Sequence, residues 1–297
     1  MISSPSFQQQ SACKVDLSCI IVNYNSSKQL QNCLESIYKT IHGIDFEVIV
    51  VDNSEDDPGW QGLREAFPQA KFISNPSNVG FSKANNQAAK LAQGEALIFI
   101  NPDTILSDQA INSMQSYFCS HSEVGALGPK VLNPDGSLQY SCRRYPTLWT
   151  GLFNRYSILS RLFPKNRFTS QYLMLDFDHK EILPVDWLSG CCLMVPKKVF
   201  EKIGGFDENY FLFNEDIDLG RMINETGKKV IYFPQAIVNH QVSTSNSKTS
   251  ARVIVKRHLG MMHYFKKHHR VNFLFRGTIN FFILMRGITQ LIINLVK

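Results

Sequence analysis

Three short polar clusters have the residue types and the placement to do chemistry: Asn23-Tyr24-Asn25, Asp52-Asn53 and Asn101-Pro102-Asp103. Each follows directly on an apolar run, LSCIIV, FEVIVV and ALIFI respectively. Singly, Asn and Asp at such places make ordinary local turns. Three polar ends of this kind in one chain point instead to a nucleotide pocket. Neither GxGxxG after the first run nor GxxxxGK[ST] is present, which argues against dinucleotide and P-loop binding. Asp103 matters most. A carboxylate held by the rigid Pro102 suits a hard divalent cation, Mg²⁺ or Mn²⁺, which takes few carboxylates together with phosphate oxygens and water. Such a cation neutralises charge on a departing diphosphate.

A second cluster is FLFNEDIDLGR, Phe211 to Arg221. Read locally, Glu215 and Asp216 complement the dipole of a helix capped by Asn214, and Asp218 with Arg221 makes a surface pair three residues apart. The neighbours Gly204-Gly205-Phe206-Asp207 and the aromatic run Tyr210–Phe213 favour a different reading, a helix start in an apolar cleft. A carboxylate there suits general-base work on a sugar hydroxyl. His240 stands alone in sequence. It becomes a metal ligand only if the chain folds back to Asp103.

The elements that must position these residues alternate strand and helix. Strands are expected at Leu17–Asn23, Phe46–Val51, Lys71–Ser74 and Ala96–Ile100, with helices over Lys28–Ile41 and Ser82–Ala92. This spacing predicts an α/β fold with a doubly wound, mostly parallel sheet. Ligands of such sheets sit beyond the strands' carboxyl ends, where strand order reverses. Further on, Val124–Val131, Trp187–Val195 and Lys229–Phe233 read as strands. Lys197–Ile203 and the segment from Asn214 to Thr226 read as helices, and Tyr145–Pro184 reads as a variable insertion.

Charge is segregated. Twelve of the 31 Lys and Arg, and none of the 25 Asp and Glu, lie in Gly227–Lys297, so the overall +6 hides a −6 body and a basic tail. In that tail Val271–Val296 is apolar but interrupted by Arg276 and Arg286. A bilayer span wants about twenty apolar residues, so an interfacial helix on a membrane surface is the favoured reading over nucleic acid, a span or a helix packed on the body. The seven cysteines form no CxxC pair and read as buried thiols of a reducing compartment. The first 14 residues lack a signal peptide's apolar core and read as a disordered lead-in. Residues 15–245 then form the main domain, and residues 246–297 the membrane-associating helices. The expected location is cytoplasmic, peripheral on the inner face of the membrane.

With VDLSCIIVNYN, FEVIVVDNSEDD, NPSNVGFSKANNQAA, LIFINPDT, VDWLSGCCLMV and FEKIGGFDENYFLFNEDIDLGRM occurring in order, followed by His240, the chain resembles the family 2 glycosyltransferases of GT-A fold, and their rhamnosyltransferase-like branch most closely. The resemblance implies an inverting, metal-assisted transfer of a sugar from a nucleoside diphosphate donor to a glycan or lipid-linked glycan. Rhamnose from dTDP-rhamnose is the sugar it suggests; galactofuranose or another hexose is the alternative. Asn23, Tyr24, Asn25, Asp52 and Asn53 would hold base and ribose, and Asn78, Gly80, Asn85 and Asn86 the ribose and diphosphate. Asn101 and Asp103 stand at the family's DxD, with one carboxylate instead of two. Asp103 and His240 would meet the metal. Asp216 would be the catalytic base, with Trp187 and Glu215 at the acceptor. Two rivals remain: a sugar nucleotidyltransferase, which needs a basic, Gly-rich loop that VNYNSSKQ is not, and a non-catalytic nucleotide-sugar binding scaffold.

Overall fold

The computed structural model describes residues 17–147, 150, 166–241, 250–269 and 272–296. The expected lead-in and, of the Tyr145–Pro184 insertion, residues 148, 149 and 151–165 lie outside the described residues. The first half runs β1 (Leu17–Asn23), α1 (Ser27–Thr40), β2 (Phe46–Asp52), α2 (Trp60–Ala66), β3 (Lys71–Ser74), α3 (Phe81–Leu91), β4 (Ala96–Ile100), β5 (Thr104–Leu106), α4 (Ala110–Ser120) and β6 (Val124–Leu132). It continues through β7 (Leu138–Gln139), β8 (Cys142–Arg143), α5 (Arg167–Leu173), β9 (Leu183–Val185), β10 (Trp187–Leu188), β11 (Cys192–Pro196) and α6 (Lys197–Lys202). Last come α7 (Glu215–Glu225), β12 (Lys229–His240), α8 (Ala251–His268) and α9 (Phe273–Val296).

The main sheet has the order β3-β2-β1-β4-β11-β6-β12-β5. Its first four strands are parallel, and the chain reverses direction of build between β1 and β4. β11 then enters antiparallel to both β4 and β6, and β12 lies parallel to β6. The sheet is therefore mixed. Side chains alternate across it, so neighbouring residues of one strand feed different cores. Cys19, Ile21, Val48, Val50, Ile98 and Ile100 pack with α1 through Leu30, Leu34 and Ile37. Ile20, Val22, Ile49, Val51, Leu97 and Phe99 pack with the small residues Ala84, Ala88 and Ala89 of α3.

Two strand assignments change. Trp187–Val195 is not one strand: Trp187 and Leu188 pair with β8 in a separate small sheet, and β11 starts only at Cys192. β12 does not stop at Phe233; it continues to His240 through a register shift between Phe233 and Ile237. Pro234 lies in this irregularity.

The basic C-terminal helices are built into the body. α8 contributes Tyr264 and Phe265, and α9 contributes Ile279 and Ile283, to a third core with Trp187, Tyr210 and Ile217. Asp218, expected on the surface beside Arg221, is buried; its carboxylate meets His268 Nε2 at 2.6 Å, Lys267 Nζ at 2.8 Å and the Tyr210 hydroxyl at 3.2 Å. Arg221 pairs with Glu225 instead. Asp207 joins the same knot through Lys267 at 2.9 Å and His263 at 3.0 Å. Burial pushes the Asp207 carboxyl up, but hydrogen bonds from His263, Lys267 and Asn209 outweigh it and hold it well below the ordinary carboxylate range.

A carboxyl depressed in the folded state contributes stability that is fully present above its unfolded value and lost as pH falls towards the folded one. The Asp207 contribution should therefore be complete above about pH 4 and decline below it. Urea unfolding across pH 2 to 6 is expected to show a shallower acid loss for Asp207→Asn than for the wild type. Parallel curves would mean that the knot carries no linkage.

Candidate active site

The carboxyl ends of β1 and β2 lie side by side, with Asn23 directly opposite Asp52. The Asn23 amide donates to Asp52 Oδ1 at 2.9 Å and to Asp57 Oδ2 at 3.0 Å, while its Oδ1 accepts from Ser26. Asp52 also accepts from the Ser54 backbone, and Ser54 Oγ accepts from the N–H of Asn25, which takes a left-handed φ of 51°. Tyr24, 55% exposed, stands at the mouth with its ring available for stacking. Asn53 donates to the Gly80 carbonyl at 3.2 Å and accepts from Asn75 at 2.9 Å, tying the strand end to the next loop. Gly80, at φ 93°, must be glycine twice over: its backbone is left-handed, and a Cβ would stand 2.9 Å from Phe211. Asn78 Oδ1 accepts from its N–H.

Asn85 and Asn86 differ from expectation. Both are buried; Asn85 donates to the Phe81 carbonyl, and Asn86 is saturated by the N–H and carbonyl of Phe206 and by Glu208. The Asn86 amide is spent on the Phe206 loop, and the Asn85 NH2 on its own helix.

At the end of β4 the chain folds back as the metal reading required. β5 pairs antiparallel with β12, Thr104 against His240. This brings His240 Nε2 to 3.1 Å from Asp103 Oδ1 and 3.3 Å from the Asn101 amide. Gln139 donates to Asn133 and so presents its Oε1 to His240 Nδ1 at 2.8 Å. That contact puts the proton on Nδ1 and turns the Nε2 lone pair towards Asp103. An imidazole lone pair and a carboxylate oxygen facing each other suit a bridging cation. Gln139, invisible in sequence, is the orienting partner that such a ligand needs. Among the described residues no group of three or more His, Cys, Asp or Glu converges. This pair fits Mg²⁺ or Mn²⁺ that draws its remaining ligands from phosphate and water.

At the start of α7, Phe213 and Asn214 are consecutive left-handed residues, at φ 67° and 72°. Two non-glycine residues so placed cost of order 1–3 kcal/mol each and persist only where the surroundings hold them. Asn214 caps the helix by position, but its side chain donates to the Arg257 carbonyl of α8 at 3.0 Å. The turn aims Glu215 and Asp216. Glu215 is 6% exposed, and its Oε2 has no hydrogen-bond partner; burial first, then the neighbouring Asp216, raises its carboxyl far above the usual range. Asp216 is half-buried and also raised by burial, although Arg143 and the Ile217 and Gly190 N–H groups draw it back. Of the two, Asp216 is the one a solvent-borne hydroxyl can reach.

Arg143 is the second residue that sequence did not single out. It lies opposite Trp187 in the small sheet, its guanidinium 5.2 Å from the Trp187 ring and 5.8 Å from Tyr172. Its two-residue strand is too short to show a period. Trp187 is only 4% exposed, and its indole N–H donates to the Arg144 carbonyl. Trp187, expected at the acceptor, is thus buried against Arg143.

The Ser189–Cys191 link joins the two halves of the site. Gly190 donates to Asp216, and the Cys191 carbonyl accepts from the Asn101 N–H at 2.9 Å and the Thr104 hydroxyl at 3.1 Å. Burial first, and then the charges of Asp103 and Asp216, push the Cys191 thiol up to about 12. One link between two strands is thus bonded to Asp216 on one side and to the residues flanking Asp103 on the other.

The family model for glycosyl transferase family 2 matches residues 18–204. The chain belongs to this family. It is 30% identical over 253 residues to an N-acetylglucosaminyl-diphospho-decaprenol L-rhamnosyltransferase of Mycobacterium tuberculosis, covering 82% of this chain and 81% of that protein. A rhamnosyltransferase of Escherichia coli is 24% identical, over 76% and 84% of the two chains. The enzyme therefore falls with the rhamnosyltransferase-like branch. Its fold matches a Pyrobaculum calidifontis mannosyltransferase solved with GDP-Man and Mn²⁺, at TM-score 0.59 and 16% identity, over 96% of this chain and 76% of that one. It also matches GalNAc-T7, solved with UDP, GalNAc and Mn²⁺, at TM-score 0.62 and 13% identity, covering 93% of this chain and 55% of the longer one. The architecture of this glycosyltransferase is GT-A.

Gly220 lets α7 sit directly on the small sheet. A Cβ there would stand 2.7 Å from Trp187 Cβ and 2.8 Å from the Asp186 carbonyl oxygen. Gly220→Ala is expected to lower stability by about 1–3 kcal/mol, as overpacking does. It should also shift the α7 start and lower transfer at substrate saturation. Thermal melts with kinetics check both; a variant normal in each would show that the helix has room to spare.

Proposed function

We propose that this glycosyltransferase moves rhamnose from dTDP-rhamnose to a sugar carried on a lipid diphosphate, in cell-surface polysaccharide synthesis, with inversion at the anomeric carbon. The observation that carries the reading is the Ser189–Cys191 link, which touches both Asp216 and the Asn101–Thr104 turn. Acceptor activation and leaving-group departure would thereby share one cleft. The relative of M. tuberculosis supports both the sugar and the lipid-linked acceptor by its name.

Asn23, Tyr24, Asn25, Asp52 and Asn53 would receive the nucleoside, with the Asn78–Gly80 loop closing over the diphosphate. Mg²⁺ or Mn²⁺ on Asp103 and His240 would neutralise charge on the leaving diphosphate. Asp216 would take the proton of the acceptor hydroxyl as it attacks the anomeric carbon in line. Its raised pKa makes it a stronger base than an exposed carboxylate, because a base works best with a pKa close to the working pH. Transfer should therefore fall as pH drops through that raised value. A binding scaffold has no use for two adjacent buried carboxyls, which destabilise the fold they sit in; this favours catalysis.

α9 has the length and composition to cross a membrane, with mean hydropathy 1.4 over Phe273–Leu295. Ile279 and Ile283 are, however, packed in the body. The opposite face exposes Phe281, Phe282, Leu284 and Met285. An interfacial placement on the cytoplasmic surface satisfies both faces.

Asp216→Asn keeps size and shape but cannot accept the proton. Single-turnover transfer should drop by roughly 10²–10⁴-fold while dTDP affinity holds. Glu215→Gln, out of reach of the acceptor, should cost less; equal losses would make the pair a single unit.

Asp103→Ala is expected to weaken Mn²⁺-dependent dTDP binding and leave metal-free binding nearly intact. Calorimetry with and without Mn²⁺ separates the two, and an unchanged Mn²⁺ dependence removes Asp103 from the metal.

A further inference from the structure

Two cations of α8, Arg252 and Lys256, have no role in the site described above. Arg252 and Lys256 lie 5.5 Å and 5.1 Å from the centre of the Phe211 ring. Phe211 packs against Gly80 and accepts a hydrogen bond from the Phe81 N–H at 2.7 Å, and two residues beyond Phe213 the chain reaches Glu215. The two cations are therefore one ring away from the donor loop and one short turn from Asp216. Among the described residues neither has a carboxylate at ion-pair distance, although Lys267 of the same helix is fully engaged. Stacking on an aromatic face fixes a cation without neutralising it.

The apolar surroundings are arranged to match. Arg252, Val255 and Leu259 recur at helical spacing along one stripe of α8, and Val255 and Leu259 are exposed. α8 and α9 pack on each other, and a Cβ at Gly287 would stand 3.3 Å from the His258 ring. The exposed Ile288 of α9 follows directly on that contact. A cationic end beside the cleft thus leads into an apolar stripe on the helix that packs against the most apolar helix of the protein.

We propose that Arg252 and Lys256, seated on Phe211, bind the diphosphate of an isoprenoid-type acceptor whose chain lies along the Val255–Leu259 stripe. This rests on the lipid-linked acceptor reading above. It assigns the acceptor diphosphate to α8, apart from the donor diphosphate at Asp103. The acceptor sugar bridges the short distance to Asp216, and the chain points away from the cleft.

Farnesyl diphosphate, farnesol and dTDP with Mn²⁺ serve as probes, titrated into the full-length protein in neutral detergent. The wild type should bind farnesyl diphosphate more tightly than farnesol. Arg252→Gln combined with Lys256→Gln should weaken farnesyl diphosphate at least about tenfold, the loss expected on removing charge-assisted contacts, and leave dTDP unchanged. A matching Arg252→Lys variant, with the same melting temperature, should recover most of the affinity. Unaltered farnesyl diphosphate binding by the double variant overturns the proposal. Parallel loss of dTDP also overturns it, by moving the cations to the donor. So does a loss confined to flotation with phosphatidylglycerol vesicles, which would make them a membrane contact. A wild type that binds farnesyl diphosphate but no nucleoside diphosphate would defeat the transferase reading alone.

Discussion

Two adjacent carboxyls at one helix start, one buried and one half-buried, are the most demanding arrangement in this protein, and much of the structure around α7 can be read as its support. Removing a carboxylate from water is expensive unless opposite charge or hydrogen bonds replace the lost hydration. Glu215 receives little of either at its Oε2, so its raised carboxyl is held by the fold and not by a partner. Asp216 receives more, from Arg143 and from two backbone N–H groups, and it keeps an opening. The positive end of the α7 dipole helps both. Environment thus separates two neighbours of the same chemical type into a closed carboxyl and an accessible one.

Holding that pair requires the left-handed turn at Phe213 and Asn214, and that turn is secured from α8. Asn214 donates to the Arg257 carbonyl, Arg257 stacks on Phe213 at 4.2 Å, and a side chain at Gly260 would strike the Asn214 amide at 2.8 Å. Four residues after Asn214, Asp218 binds Lys267 and His268 at the other end of α8. One helix therefore grips both the strained turn and the first turn of α7. The basic tail and the acidic body, which look like two charge domains in composition, are complementary halves of one interface.

What sequence reveals here follows interaction range. β1, β2, β3 and β4 and the helices α1 and α3 were legible because their apolar periods are local, and the polar residues at their ends follow from direction alone. Asp103 and Asp216 could be singled out because they stand next to such ends. The Asp103–His240 contact could only be posed as a condition, since it depends on β12 running past Phe233 and pairing with β5. Gln139 and Arg143 sit on strands of two residues, where no pattern exists to read. Asn86 misled for a related reason: an amide that satisfies the backbone of a distant loop is, in sequence, the same residue as an amide that faces a ligand. Asp218 was placed on the surface because its partners arrive from α8, and nothing within seven residues of it announces them.

The same grip bears on how the proposed donor and acceptor sides are joined. The donor side is built from strand ends and short loops, Asn23 to Gly80, anchored to the rigid parallel half of the sheet. The acceptor side is built from α7, the small sheet of Arg143 and Trp187, and α8, which are joined through a core that α9 completes with Ile279 and Ile283. A lipid surface that engages the outer face of α9 pushes on the same helix whose inner face touches the core beneath Trp187 and Ile217. The acceptor side is therefore continuous with α8 and α9, and the donor side meets α8 through Phe211, on which Arg252 and Lys256 sit. The two sides are bridged both by the Ser189–Cys191 link and by Phe211, which accepts from the Phe81 N–H and packs against Gly80, so a displacement of α8 or α9 would be felt on both.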